Sequence, residues 1–155
     1  MKALKIICIL ALILNLCTLA LAQEVRRTGT IVDLEGNVLL KRFGSEDWVS
    51  VEIGTTVNEK DVIKTRSNSW AVLNIADDEG ASSIEIKENS QLIVWELVKD
   101  EASGTQKTFL DLAIGKVMIK AQKLHTEESK FEVKTPTSIV GVRGTIFEVE
   151  VESLD

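Results

Sequence analysis

Arg143 is the residue whose setting most suggests a chemical task. It lies in Val140-Gly141-Val142-Arg143-Gly144-Thr145, the one cation of an otherwise apolar extended run, with a glycine on either side. A guanidinium presents five donors in a planar fork, suited to several backbone carbonyls at once or to one carboxylate held by two bonds. Glycine inside a strand marks a bulge, a bend or a close backbone approach. Two readings follow: an internal tie that locks the last strands to the sheet, with the guanidinium shielded by close approaches at Gly141 and Gly144, or an exposed fork that recognises a partner.

Other reactive groups are few. After residue 22 there is one histidine, His125, with no cysteine and no tyrosine. Hydroxyl catalysis by a Ser-His-carboxylate set needs that imidazole held against an activated serine. His125 sits in the polar connector Leu124-His125-Thr126-Glu127-Glu128 and reads as a solvated loop residue. Asp77-Asp78-Glu79 is the densest acidic cluster, but its spacing is not that of a calcium loop. It reads as a hairpin turn closed by Gly80. The 24 acidic residues offer many carboxylate pairs and no basis for choosing one as a glycosidase pair. The expectation is a protein that is not an enzyme, with no cofactor and no metal. Trp48, Trp70 and Trp95 could stack on a sugar or peptide. Apolar neighbours place Trp70 and Trp95 in the core, whereas Trp48 follows an exposed turn, Gly44–Asp47.

The elements that must position these residues are strands. Period-2 alternation recurs in Ser83–Lys87, Lys116–Lys120, Lys130–Lys134 and Thr145–Val151. In the last, Phe147, Val149 and Val151 share one face while Glu148 and Glu150 share the other. Trp70–Leu73 and Leu92–Trp95 are apolar throughout and read as central strands covered on both faces. Glu35-Gly36-Asn37 predicts a hairpin between Thr30–Leu34 and Val38–Arg42. Further turns fall at Asp77–Gly80, Glu88-Asn89 and Ser103-Gly104. No helical stripe appears after residue 22, and Ala121–Ser129 reads as loop. The pattern predicts one all-β domain of about ten to twelve short strands: a sandwich, a roll or a short β-solenoid.

Residues 1–22 are a different kind of segment. Lys2 and Lys5 precede an unbroken apolar run, Ile6–Leu14, and Ala20-Leu21-Ala22 is a small-x-small cleavage signal. This is the pattern of a secretory signal peptide. Its removal takes away both cysteines, Cys8 and Cys17, so the exported chain relies on its core rather than on disulfides. It takes two lysines and no acid, which carries the formal net charge from −6 to −8. So acidic a domain suits neither nucleic acid nor an anionic lipid surface. The expected organisation is a signal peptide at 1–22, a short lead at 23–28 and one domain at 29–152. Location would be periplasmic or secreted, or inner-membrane anchored where the leader stays uncleaved.

The run Phe131-Glu132-Val133-Lys134-Thr135-Pro136, followed by Val142-Arg143-Gly144-Thr145-Ile146-Phe147-Glu148-Val149, resembles the signature of the FecR domain family. Trp48, Gly54, Asp61-Val62-Ile63-Lys64-Thr65, Ser69 and Ala71-Val72-Leu73 extend the likeness backwards, with Lys60 where the family commonly has glycine. The resemblance implies that Thr135, Pro136, Gly141, Arg143, Gly144, Thr145 and Phe147 are motif residues, structural or partner-binding. It implies an envelope module that senses a receptor and relays its state to a sigma factor through a cytoplasmic helical region. This chain lacks such a helical region, so the implied function narrows to binding or signalling through an envelope protein. The alternative is a structural module that binds peptidoglycan or polysaccharide.

Overall fold

The computed structural model describes residues 24–77, 80–124 and 126–152. Residues 1–23 (which include the expected signal peptide), His125 and most of the 77–79 acidic cluster therefore lie outside the described residues. The described chain is all β, with no helix. Thirteen strands follow in order: β1 (Glu24–Arg26), β2 (Gly29–Glu35), β3 (Val38–Lys41), β4 (Trp48–Ser50), β5 (Thr56–Val57), β6 (Val62–Thr65), β7 (Trp70–Asp77), β8 (Gly80–Ile86), β9 (Gln91–Asp100), β10 (Gln106–Lys120), β11 (Lys130–Lys134), β12 (Ile139–Val142) and β13 (Ile146–Val151).

They form one curled sheet in the order β4-β3-β6-β9-β10-β8-β7-β2-β5. Pairing is antiparallel except between β10 and β11, which run parallel. The long strand β10 joins the two halves. Phe109–Leu112 pair with β9, while Val117–Lys120 pair with β8. Gly115, at φ +93, makes the bend between them, and a Cβ there would stand 2.5 Å from the Cα of Ser90. The inner faces of both halves meet in one core. Leu40, Ile63, Leu92, Leu110 and Val133 come from one half; Ile31, Leu73, Ile84, Ile86 and Ile119 come from the other.

Several expectations are corrected. Trp70–Leu73 and Leu92–Trp95 are not covered on both faces. A curled sheet has one inner face, so Ala71, Leu73, Leu92 and Val94 point in while Val72 and Ile93 are half-buried on the outside. Trp70 is also half-buried, and its indole N–H donates to Glu35 at 3.1 Å. Trp95 is 55% exposed, because it is the extra residue of a β-bulge: Val94 pairs with Leu110 and Glu96 with Phe109, leaving Trp95 unmatched and turned outward. The turn at Gly36 exists, with φ +78, yet β2 and β3 are not a hairpin. β2 pairs with β5 and β7, whereas β3 pairs with β4 and β6, so this turn carries the chain between the two halves. Apart from these corrections, β1 pairs with β9, and Arg27 N–H donates to Leu97 O at 2.7 Å.

Candidate functional site: the C-terminal motif and its flanking clefts

The motif begins where β11 turns into β12. Thr135 is buried, and its hydroxyl accepts from Ser138 N–H at 3.0 Å while Thr135 N–H donates to Ser138 O at 2.8 Å. Pro136, which has no N–H to leave unpaired, fits the first corner of this turn. β12 then runs back along β11 at the margin of its half of the sheet. Residues 143–145 cross to the other half, where β13 pairs with β10. The glycine-rich stretch is thus the corner by which the chain changes layer.

The two glycines do different work. Gly144 has φ +67, and a Cβ there would meet the Cα of Lys123 at 3.0 Å, so it makes the close approach expected of it. Gly141 lies in regular strand with nothing within 4 Å of a built Cβ. The expected close approach at Gly141 is absent, because the outer face beside it is open. Arg143 is likewise exposed rather than enclosed. Its guanidinium donates to Thr126 O at 3.1 Å and Glu127 O at 2.7 Å, pinning the 121–129 connector over the corner. Thr145 O accepts from Ala121 N–H at 3.1 Å, and Phe147 packs half-buried against the core.

Two shallow clefts flank β13. The larger, about 790 Å³, is bordered by Trp70, Lys87, Ile114, Lys116, Met118 and Glu148 among others. The second, about 620 Å³, shares Ile114, Glu150 and Val151 with it and reaches Thr135 and Pro136. Lys116 spans the strand pair, 3.0 Å from Glu150 and 3.3 Å from Glu148. Hydrogen bonds to Glu150 and then Glu148 hold its ammonium above the ordinary lysine value of 10.5. Lys87 pairs with Glu85 at 2.6 Å. Two lysines thus face three carboxylates here, and the described residues contain no group of three or more acids, histidines or cysteines able to hold a metal.

The earlier family positions prove to be buried polar ties. Asp61 is 2% exposed. It accepts from Arg42 at 2.7 Å, Phe43 N–H at 3.0 Å and Asn58 N–H at 2.9 Å. Thr65 accepts from Ser90 N–H at 3.0 Å, and Ser69 accepts from Asn37 N–H at 2.8 Å. Lys60 has φ +66, a conformation natural to the glycine usual in the family. Nothing in the spacing pairs Asp61 with Arg42; the visible signal is an acid followed by the apolar strand Val62-Ile63.

The FecR protein family model matches residues 61–155, more than half of the chain, and takes in Asp61, Thr65, Ser69 and the whole Thr135–Phe147 motif. The chain belongs to the FecR protein family. Trp48 and Gly54, which extend the likeness at the level of residues, lie ahead of the matched span. No curated protein and no solved structure matches the chain. Among the described residues of this FecR protein, no helix is long and apolar enough to cross a membrane.

Proposed function

We propose that this FecR protein is an exported, non-enzymatic binding and signalling module of the bacterial cell envelope, and that its ligand is another envelope protein. The family match through the complete C-terminal motif supports this reading most directly. The geometry agrees with it. The motif residues shape a corner and a sheet margin rather than converge on a reacting atom, and a margin with adjoining clefts suits a macromolecular partner. Affinity capture with the full exported chain from envelope extract, with crosslinking and mass spectrometry, is the test. One envelope protein recovered in near-stoichiometric amount is the expected result. Recovery of cell-wall polymer with no protein overturns it.

One observation favours the polysaccharide alternative. Phe43 and Trp48 are exposed, and lysine ammonium groups face both rings: Lys60 lies 4.9 Å from the Phe43 centroid, Lys41 and Lys64 5.6 and 5.7 Å from that of Trp48. Rings and ammonium groups together suit an anionic sugar polymer. Co-sedimentation with purified cell walls that Trp48→Ala abolishes would replace the protein-partner reading with this one.

A further inference from the structure

We propose that the outer edge of β12 is where the partner docks: an extended segment of the partner adds to the sheet there and lays a basic side chain across Gly141 onto Glu132. The proposal rests on the protein-binding reading above and names its site and chemistry.

The ladder fixes which backbone groups are available. Thr135 N–H donates to Ser138 O, so residues 135 and 138 form a hydrogen-bonded pair. Such pairs alternate in an antiparallel ladder. In the β11–β12 register, Val133/Val140 and Phe131/Val142 are therefore bonded pairs, while Glu132/Gly141 and Lys134/Ile139 are not. The N–H and C=O groups of Ile139 and Gly141 consequently point away from β11. No strand among the described residues pairs with that side.

Other margins of the sheet are protected. β1, β4 and β5 are only two or three residues long, and β13 carries Glu148 and Glu150. Short length and charge are the usual means of discouraging strand addition. β12, Ile139-Val140-Gly141-Val142, has neither charge nor proline, and Ile139 is 66% exposed.

The outer face then specifies the incoming side chain. Phe109, Glu132 and Gly141 lie in one row across three strands. Space above Gly141 is open, and Glu132 has no ion-pair partner among the described residues. A residue opposite Gly141 on an added strand stands about 10 Å, two strand spacings, from Glu132. A lysine or arginine reaching inward and the Glu132 side chain reaching outward cover that distance together, and the missing side chain at Gly141 leaves the path clear. Beside Glu132 a hollow of about 290 Å³ bordered by Trp95, Phe109 and Ile139 accepts the aliphatic stem or a neighbouring apolar residue. Main-chain bonds supply affinity and the row supplies selectivity, as in strand addition generally.

The test uses the full exported chain and two synthetic nonapeptides of alternating Thr and Val, one with a central Lys and one with a central Glu. The Lys peptide is expected to shift and protect the Ile139 and Gly141 amides in NMR and hydrogen exchange. Gly141→Pro removes the outward N–H on a solvent-facing edge, where proline is tolerated, and should weaken binding at least tenfold while melting like the parent. Glu132→Lys should reverse the preference towards the Glu peptide, an arm that does not depend on Gly141→Pro folding. Equal binding by Gly141→Pro and parent, shifts gathered at Trp70 instead, no peptide binding, or edge protection explained by a peptide-free dimer would each overturn the proposal. If Gly141→Pro still captures the envelope protein, the docking site is wrong while the binding function stands; if the parent captures none, the binding function itself falls.

Discussion

Arg143 donates two hydrogen bonds, both to carbonyls of a connector in contact with water, and its own side chain is exposed. Removing it lets solvent replace the lost partner, so Arg143→Ala should cost only about 1 kcal/mol. Gly144 is different, because any side chain there meets both a left-handed backbone and the Cα of Lys123. Gly144→Val should cost about 2–4 kcal/mol. Urea melts of the two variants decide the order, and an Arg143→Ala protein more damaged than Gly144→Val would reverse it. Lys60 offers a test of opposite sign. It holds a left-handed conformation that strains an L-residue, so Lys60→Gly should leave stability unchanged or raise it by up to about 1 kcal/mol. A clear loss in the same melts would mean that the Lys60–Phe43 contact outweighs the strain. Asp61→Ala should cost about 2–4 kcal/mol, since two backbone amides and Arg42 lose their acceptor together.

At the level of elements, alternation was enough to read the strands but not the path between them. The inward set of β13 follows directly from its two-residue period: Val149 is buried, with Phe147 and Val151 half-buried beside it and Glu148 and Glu150 outside. Turn residues at Gly36, Asn89 and Gly104 were equally legible, and all three have positive φ. What Gly36 joins was not legible, because a tight turn looks the same whether it closes a hairpin or carries the chain to the other layer. Trp95 shows a second limit. Leu92, Val94 and Leu97 point inward, and the slip from a spacing of two to one of three is the trace of a bulge in the sequence. An apolar run hides such a slip, since every residue in it is a credible core residue. The two readings of Arg143 could not be separated in sequence for a related reason: open space beside Gly141 depends on β12 being a margin strand, which is a property of topology. Gly115 is the element-scale position most sensitive to change. The bend of β10 needs its φ of +93 and contact with Ser90, so Gly115→Val should prevent the two halves from sharing a core. The expected outcome is loss of the cooperative thermal transition by circular dichroism; a variant melting within a few degrees of the parent would show that β10 can bend without it.

For the whole molecule, the junction between residues 1–22 and the sheet decides whether the domain is held at a membrane. β1 starts at Glu24, pairing with Asp100 beside the Ser103-Gly104 turn, so a single residue separates Ala22 from the folded sheet. A retained leader would hold that end of an acidic domain against the membrane surface, where anionic lipid headgroups disfavour it. The basic start, apolar run and Ala20-Leu21-Ala22 signal instead favour cleavage after Ala22. Cleavage leaves Gln23 as the new terminus, one residue ahead of a strand already tied to β9, and raises the net negative charge from −6 to −8. Intact-mass measurement on protein taken from its native envelope should therefore find a chain beginning at Gln23, recovered without detergent. A species that retains residues 1–22, or that carries lipid on Cys17, would make this a membrane-held module and restrict its partners to those within reach of the bilayer.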